Sequence, residues 1–256
     1  MAGMPSLALA DSAATVTEAV NQVTYGSTQA AATTPAKAGT KLQDGQFLET
    51  GVKSRAELQL ANQTVTRLGA NTIFNYSTTA NEIDLQSGTI LFSKPKDGAQ
   101  LNIKTAAVTA AIVGTTGFVQ VHCKALIIGL VEGHAKVVID GKVVQLSPGQ
   151  AVRFSPGGTP QTFYFDIPKF LKTSPLVTKF KGPLPNQAYI DKEIAIYDDF
   201  AARGFIAPPT KPYFITDVGE AVPMIPIPAL DSAGNAHDDF NNPPLPPPPP
   251  PSRGTN

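Results

Sequence analysis

Val52-Lys53-Ser54-Arg55-Ala56-Glu57-Leu58-Gln59-Leu60 places an apolar or small residue at every even position and a charged or amide residue at every odd one. That period of two is the pattern of a half-buried β-strand, because successive side chains of a strand point to opposite faces. The period returns at Ile83 and Leu85 against Glu82 and Asp84, and at Leu101 and Ile103 against Asn102 and Lys104. It returns again at Ala135, Val137 and Ile139 against His134, Lys136 and Asp140. Short runs of this kind, punctuated by glycine, continue from about Gly45 to Phe154 and predict one compact all-β domain, solenoid-like or a sandwich. Asp97-Gly98 and Asp140-Gly141 each separate apolar runs, and an Asp-Gly pair supplies the positive φ angles of a tight hairpin turn.

An ordered series of segments runs through this region. Gly51-Val52-Lys53-Ser54-Arg55-Ala56-Glu57-Leu58 is followed by Thr64-Val65-Thr66-Arg67-Leu68-Gly69-Ala70-Asn71-Thr72 and Leu85-Gln86-Ser87-Gly88. Next come Ile103-Lys104-Thr105-Ala106-Ala107-Val108 and Gly114-Thr115-Thr116-Gly117-Phe118-Val119-Gln120-Val121, then Val131-Glu132-Gly133 and Leu146-Ser147-Pro148-Gly149-Gln150. Together they resemble the FecR domain of bacterial envelope proteins over roughly residues 45–154. FecR-like regulators are single-pass membrane proteins whose periplasmic part relays the state of an outer-membrane transporter to a sigma factor. They do so through a cytoplasmic anti-sigma segment ahead of the membrane helix. This chain departs from that plan. A membrane span needs about 20 mostly apolar residues, whereas Ala106 to Val113 and Ala125 to Val131 are far shorter and lie inside strand patterns. The resemblance therefore implies a FecR-like domain without the anti-sigma and transmembrane segments.

With 20 basic and 20 acidic residues the formal net charge is zero, which gives no electrostatic case for a nucleic acid or an anionic membrane as partner. Lys169, Lys172, Lys179 and Lys181 form a local basic stretch, expected to be solvated. Ala8-Leu9-Ala10 before Asp11 fits the cleavage site of a secretory signal peptide, so residues 1–10 read as the remnant of one. Together with the resemblance, this predicts an exported protein, periplasmic or extracellular.

No residue set predicts catalysis, and no cofactor or metal is expected. The lone Cys123 falls on the strand face of Val119 and Val121 while His122 falls on the opposite one, so the two do not form a nucleophile and base. His122, His134 and His237 stand at no metal-ligand spacing. Asp198-Asp199 lies in a predicted helix, where adjacent side chains diverge, and Asp238-Asp239 lies in the tail. Gly114-Thr115-Thr116-Gly117 lacks the lysine and following helix of a phosphate loop, and predicts instead a bend between two buried strands. Gly69, Gly88, Gly114, Gly133 and Gly149 are expected to be structural glycines at such bends and turns. Arg55 and Glu57 share a strand face and Arg67 follows in the next run, which predicts a surface salt-bridge cluster. Exposed pairs of that kind contribute about 0–1 kcal/mol, and the cluster is the candidate partner-binding surface.

Outside the β region, residues 11–44 form an N-terminal small and polar segment. Of the 24 prolines, 20 lie beyond Phe154, where the period of two fades. Residues 155–204 are expected to be a packing extension with one helix over 186–203. Asn186 would cap that helix, Ile190, Ile194, Tyr197 and Ala201 would form its apolar stripe, and Gly204 would end it. Residues 205–256 predict a proline-rich extended tail. The expected function is that of an exported, non-enzymatic protein-interaction module at the bacterial envelope, related to signalling. The alternative is a self-assembling structural subunit of an extracellular fibre or matrix, in which a terminal segment docks on the next copy. A carbohydrate-binding domain is a lesser alternative, against which the absence of tryptophan counts.

Overall fold

The computed structural model describes residues 12–122, 125–203, 212–215 and 221–226. Ala56, Leu58 and Leu60 are buried in a strand running Arg55–Leu60, so the alternation of this stretch is realised. It begins later than the sequence suggests. Lys53 adopts a φ of 55°, and Val52 sits in a turn with 71% of its surface exposed.

Before residue 45 the chain already forms four strands: β1 (Ala14–Val20), β2 (Val23–Gly26), β3 (Thr34–Pro35) and β4 (Lys41–Leu42). They correct the view of residues 11–44 as a segment outside the β domain, since Ala14, Val16, Val23 and Leu42 lie in the same core as Leu58 and Phe74. Their alternation is masked by alanine and threonine, which are small enough to be read as linker. Next come β5 (Phe47–Thr50), β6 (Arg55–Leu60), β7 (Val65–Leu68), β8 (Ile73–Ser77) and β9 (Glu82–Ser93). The series continues with β10 (Gln100–Lys104), β11 (Val108–His122), β12 (Ala125–Ile139), β13 (Lys142–Leu146), β14 (Gln150–Phe154) and β15 (Gln161–Phe165). Helices α1 (Ile167–Thr173), α2 (Pro175–Thr178) and α3 (Gln187–Ala202) follow, then β16 (Pro212–Ile215) and β17 (Ala221–Pro226).

The strands form one hydrogen-bonded network, creased into two leaves. In the first leaf the order is β4-β1-β6-β7-β9-β11-β12-β14-β15-β17. In the second it is β3-β2-β5-β8-β9-β10-β11-β12-β13. The long strands β9, β11 and β12 pass through both, as in a sandwich whose corners are made by strands that change sheet. Pairing is antiparallel except between β9 and β10, an arrangement unlike a solenoid of stacked parallel strands.

The crease falls where β11 and β12 lose register, between Val113 and Gly117. Gly114 and Gly133 take φ angles of 54° and 82° there. A Cβ on Gly133 would lie 2.8 Å from the Gly114 carbonyl oxygen, so the two backbones meet where a side chain would separate them. The Gly114–Gly117 stretch is therefore a bend within one strand rather than between two. Gly88 and Gly149 also have positive φ, whereas Gly69 does not; its carbonyl instead accepts the hydroxyls of Thr50 and Thr72, at 2.5 and 3.0 Å. Asp140 and Gly141, both with positive φ, join β12 to β13 as expected for a hairpin. Asp97-Gly98 does not make a hairpin, because β9 and β10 run parallel; the Asp97 carboxylate instead accepts the Ala99 amide at 2.9 Å.

Each leaf shows a different burial pattern for one physical reason. In the second leaf, residues 108–113 and 134–139 alternate between buried and exposed. In the first leaf, residues 114–120 and 126–132 are buried without interruption, because helices cover the outer face. Ile167, Phe170, Leu176, Phe180, Leu184 and Ile190 pack there on Leu91, Phe118, Ile127, Val131, Ala151 and Phe163. Phe118 stacks on Phe170 with ring centroids 4.8 Å apart, and Phe165 meets both edge-on. Residues 166–203 thus form a helical wrap over the first leaf.

Candidate interaction site at the seam between sheet and wrap

Two charged groups on the outer face of the first leaf hold the wrap. Arg67 stands opposite Glu57 in the β6–β7 register, and its Nε donates to Glu57 Oε2 at 2.8 Å. Its Nη1 donates to the carbonyls of Leu176 and Val177, at 3.1 and 3.4 Å, and its Nη2 donates to the carbonyl of Gly182. The guanidinium also lies 4.9 Å from the centroid of the Phe180 ring. With 1% of its side chain exposed, Arg67 is no part of an open surface. Arg55, 3.7 Å from Glu18, and Glu57, which also accepts the Thr17 hydroxyl at 2.7 Å, line the rim of the same contact. The predicted surface cluster is thus corrected. The charges are there, but the segment docked on them is the chain's own, because only the tertiary fold brings residues 176–182 over β7.

A second latch lies at the crease. Glu132 is 1% exposed; its Oε2 accepts from Lys96 Nζ at 2.8 Å and its Oε1 from Asn186 Nδ2 at 2.6 Å. The same amide group donates to the Lys94 carbonyl at 2.8 Å, and Lys96 Nζ also donates to the Gly114 carbonyl at 2.7 Å. Lys96 stands 4.4 Å from the centroid of Tyr189. Asn186 precedes α3 as predicted but makes no side-chain cap, since its amide is turned inward on Glu132. Along α3, Ile190 is buried and Ile194 packs beside it, whereas Ala201 is exposed, contrary to the predicted stripe. The sequence did not mark Lys96 and Glu132 as site residues, and it marked Asn186 only as a helix cap. The available signal was Glu132 itself, a carboxylate closing the apolar run Leu126–Val131.

Electrostatics follow from these contacts. Burial, with Glu132 nearby, pushes the Glu193 carboxyl above its ordinary range. The Lys94 ammonium bonded to Asp97 holds that carboxyl below it. Burial, helped by Asp166 and Asp198, moves the Tyr197 hydroxyl up to about 12.

Beside the first latch an open groove of about 390 Å³ separates the turns at 52–55 and 69–71 from α2. Val52, Ala70, Pro175 and Leu176 contribute apolar lining, and Lys53, Arg55 and Lys179 supply three cations. Among the described residues no carboxylate lines the groove.

The remaining sequence candidates are dispersed. His134 and the adjacent Asp198 and Asp199 are exposed, as is His122, while Cys123, His237, Asp238 and Asp239 lie outside the described residues. Among the described residues no three His, Cys, Asp or Glu side chains gather as metal ligands. No described helix is long and apolar enough to cross a membrane. Lys169, Lys172, Lys179 and Lys181 are all exposed.

Residues 46–136 match the family model described as FecR protein. The FecR match starts at β5 and ends within β12, short of the 45–154 span that the sequence resemblance suggested. Arg67, Lys96 and Glu132 fall inside it, while the residues they hold, 176–186, fall outside. Two crystal structures, each described as a candidate anti-sigma factor from Parabacteroides distasonis, are similar to this chain. Their identities are 16% and 15%, with TM-scores of 0.43 and 0.45. The similarity covers 46% and 50% of this chain and 59% and 64% of those chains. No curated protein matches.

Proposed function

We propose that this chain is an exported, non-enzymatic FecR-like module that binds another protein at the bacterial envelope as part of a signalling relay. The FecR match over residues 46–136 supports the envelope setting and the link to signalling. The observation that carries the reading is how the two leaves divide their surfaces. The central strands of the first leaf, β7, β9, β11 and β12, are covered on both faces, and the buried charges Arg67 and Glu132 hold the wrap there. The outer face of the second leaf is open. There the register sets Thr109 beside Val138 and Val113 beside His134, with Val113 47% and Val138 37% exposed. A rigid sheet face that mixes exposed aliphatic and basic side chains suits a protein partner better than a small molecule, which needs a concave site.

Light scattering on a sizing column, followed by cross-linked capture from envelope extracts, tests this. A monomer near 26.9 kDa is expected. Its captured partner should be lost when Val113 and Val138 are both changed to glutamate. Capture that survives this change overturns the assigned face, and an open-ended assembly overturns the module. One observation favours the second reading, a structural subunit. The edge of β15 accepts β17 as an added strand, with Phe163 opposite Pro226 and Phe165 opposite Met224. The same addition between copies would link subunits in series.

A further inference from the structure

The groove beside the first latch is a cationic cleft with an apolar floor and no assigned occupant. Lys53 and Lys179 are exposed and make no ion pair among the described residues. Among the described residues Arg55 has one loose ion pair, 3.7 Å from Glu18, and stands 5.6 Å from the Phe180 ring centroid, while its buried Nε has no hydrogen-bond partner there. Three cations around exposed Val52 call for a ligand that is both anionic and apolar.

Residues 204–256 have that character. They hold five acidic and two basic residues, against fifteen acidic and eighteen basic in residues 1–203, so a tail of charge −3 follows a body of charge +3. Within the tail, Asp238-Asp239-Phe240 is the place where two adjacent carboxylates stand next to an aromatic ring. The reach is sufficient. Twelve residue steps lead from Pro226, paired at the edge of β15, to Asp238, and extended at about 3.3 Å per step they span about 40 Å. Six strand steps lead from β17, which carries Pro226, through β15, β14, β12, β11 and β9 to β7, which at about 4.8 Å each is about 29 Å.

We infer that Asp238-Asp239-Phe240 of the chain's own tail occupies this groove, its carboxylates on Lys53 and Lys179 and its ring on Val52, Ala70 and Leu176. The contact is within one molecule, and being exposed and ionic it weakens with salt.

The experiment uses the full chain with the photoreactive analogue benzoylphenylalanine at position 240. Irradiation is expected to cross-link position 240 to peptides 50–55 or 175–179 within the monomer. The yield should fall about tenfold in Lys53→Glu/Lys179→Glu and recover when Asp238→Lys/Asp239→Lys is added. Hydrogen exchange gives a second reading on unmodified protein, since the amides of 51–55 and 69–71 should lose protection when residues 227–256 are removed. Circular dichroism verifies that each variant is folded, as expected for changes at exposed lysines. Cross-links to other surfaces, a yield indifferent to charge reversal, or cross-links only between two copies would each overturn the proposal.

Discussion

Changing Arg67 to methionine keeps most of the side-chain volume and removes the group on which Glu57, Leu176, Val177, Gly182 and Phe180 all converge. Breaking a buried ion pair by deleting one partner costs about 3–5 kcal/mol. Glu57 is 13% exposed and keeps the Thr17 hydroxyl, which lowers its share of that cost. The Leu176 carbonyl loses its buried donor, a loss of about 1–3 kcal/mol, and the ring contact adds about 1 kcal/mol. One guanidinium makes all these contacts, so the losses overlap, and the expected destabilisation is about 3–5 kcal/mol. Urea unfolding followed by circular dichroism measures it, and tyrosine fluorescence is usable because the chain has no tryptophan. Hydrogen exchange should locate the effect, with protection falling over residues 175–190 more than over β5 and β8. A second change, Glu57→Leu in the Arg67→Met background, should recover part of the loss by removing the orphaned charge. A loss below about 1 kcal/mol, or a uniform change in exchange, would refute the latch.

Gly133→Val is expected to destabilise the domain by more than about 1 kcal/mol, because the position has positive φ and its new Cβ would press on backbone at the crease. An unchanged melting temperature would remove the crease from the account. Glu193→Gln carries a sign with pH. Its folded carboxyl titrates above the unfolded value, so stability relative to the glutamine variant is retained at low pH and lost as pH rises through the folded pKa. The variant should therefore melt higher than the parent at pH 7, with the difference vanishing below about pH 4, where the acid is protonated in both states. Equal melting temperatures at pH 7 would contradict the placement of Glu193 beside Glu132.

Much of the sheet was legible in the residues. Ala56, Leu58, Ile83, Leu85, Leu101, Ile103, Val137 and Ile139 alternate in sequence and are all buried. Asp140-Gly141 turns where its chemistry requires, and α3 covers Gln187–Ala202 within the predicted 186–203. The FecR resemblance was carried by the order of these same pieces. The N-terminal strands were missed because Ala14-Thr15-Val16-Thr17 offers small side chains whose burial depends on a partner strand some forty residues away.

The candidate site was harder to read. Arg55, Glu57 and Arg67 were identified as a cluster, but their environment was not, since a charged residue on the outer face of a strand reads as solvated unless something covers it. Local sequence determined which residues form strands, which face each strand buries and where the chain turns, because those preferences act over two to four residues. Only the tertiary structure decided that the outer face of one leaf is roofed by residues 166–203. Arg67 and Glu132 thereby become buried latches, and Lys53, Arg55 and Lys179 come to share one groove. Those outcomes depend on contacts between residues 54 to 115 positions apart, whose free energy appears only after the intervening sheet has closed.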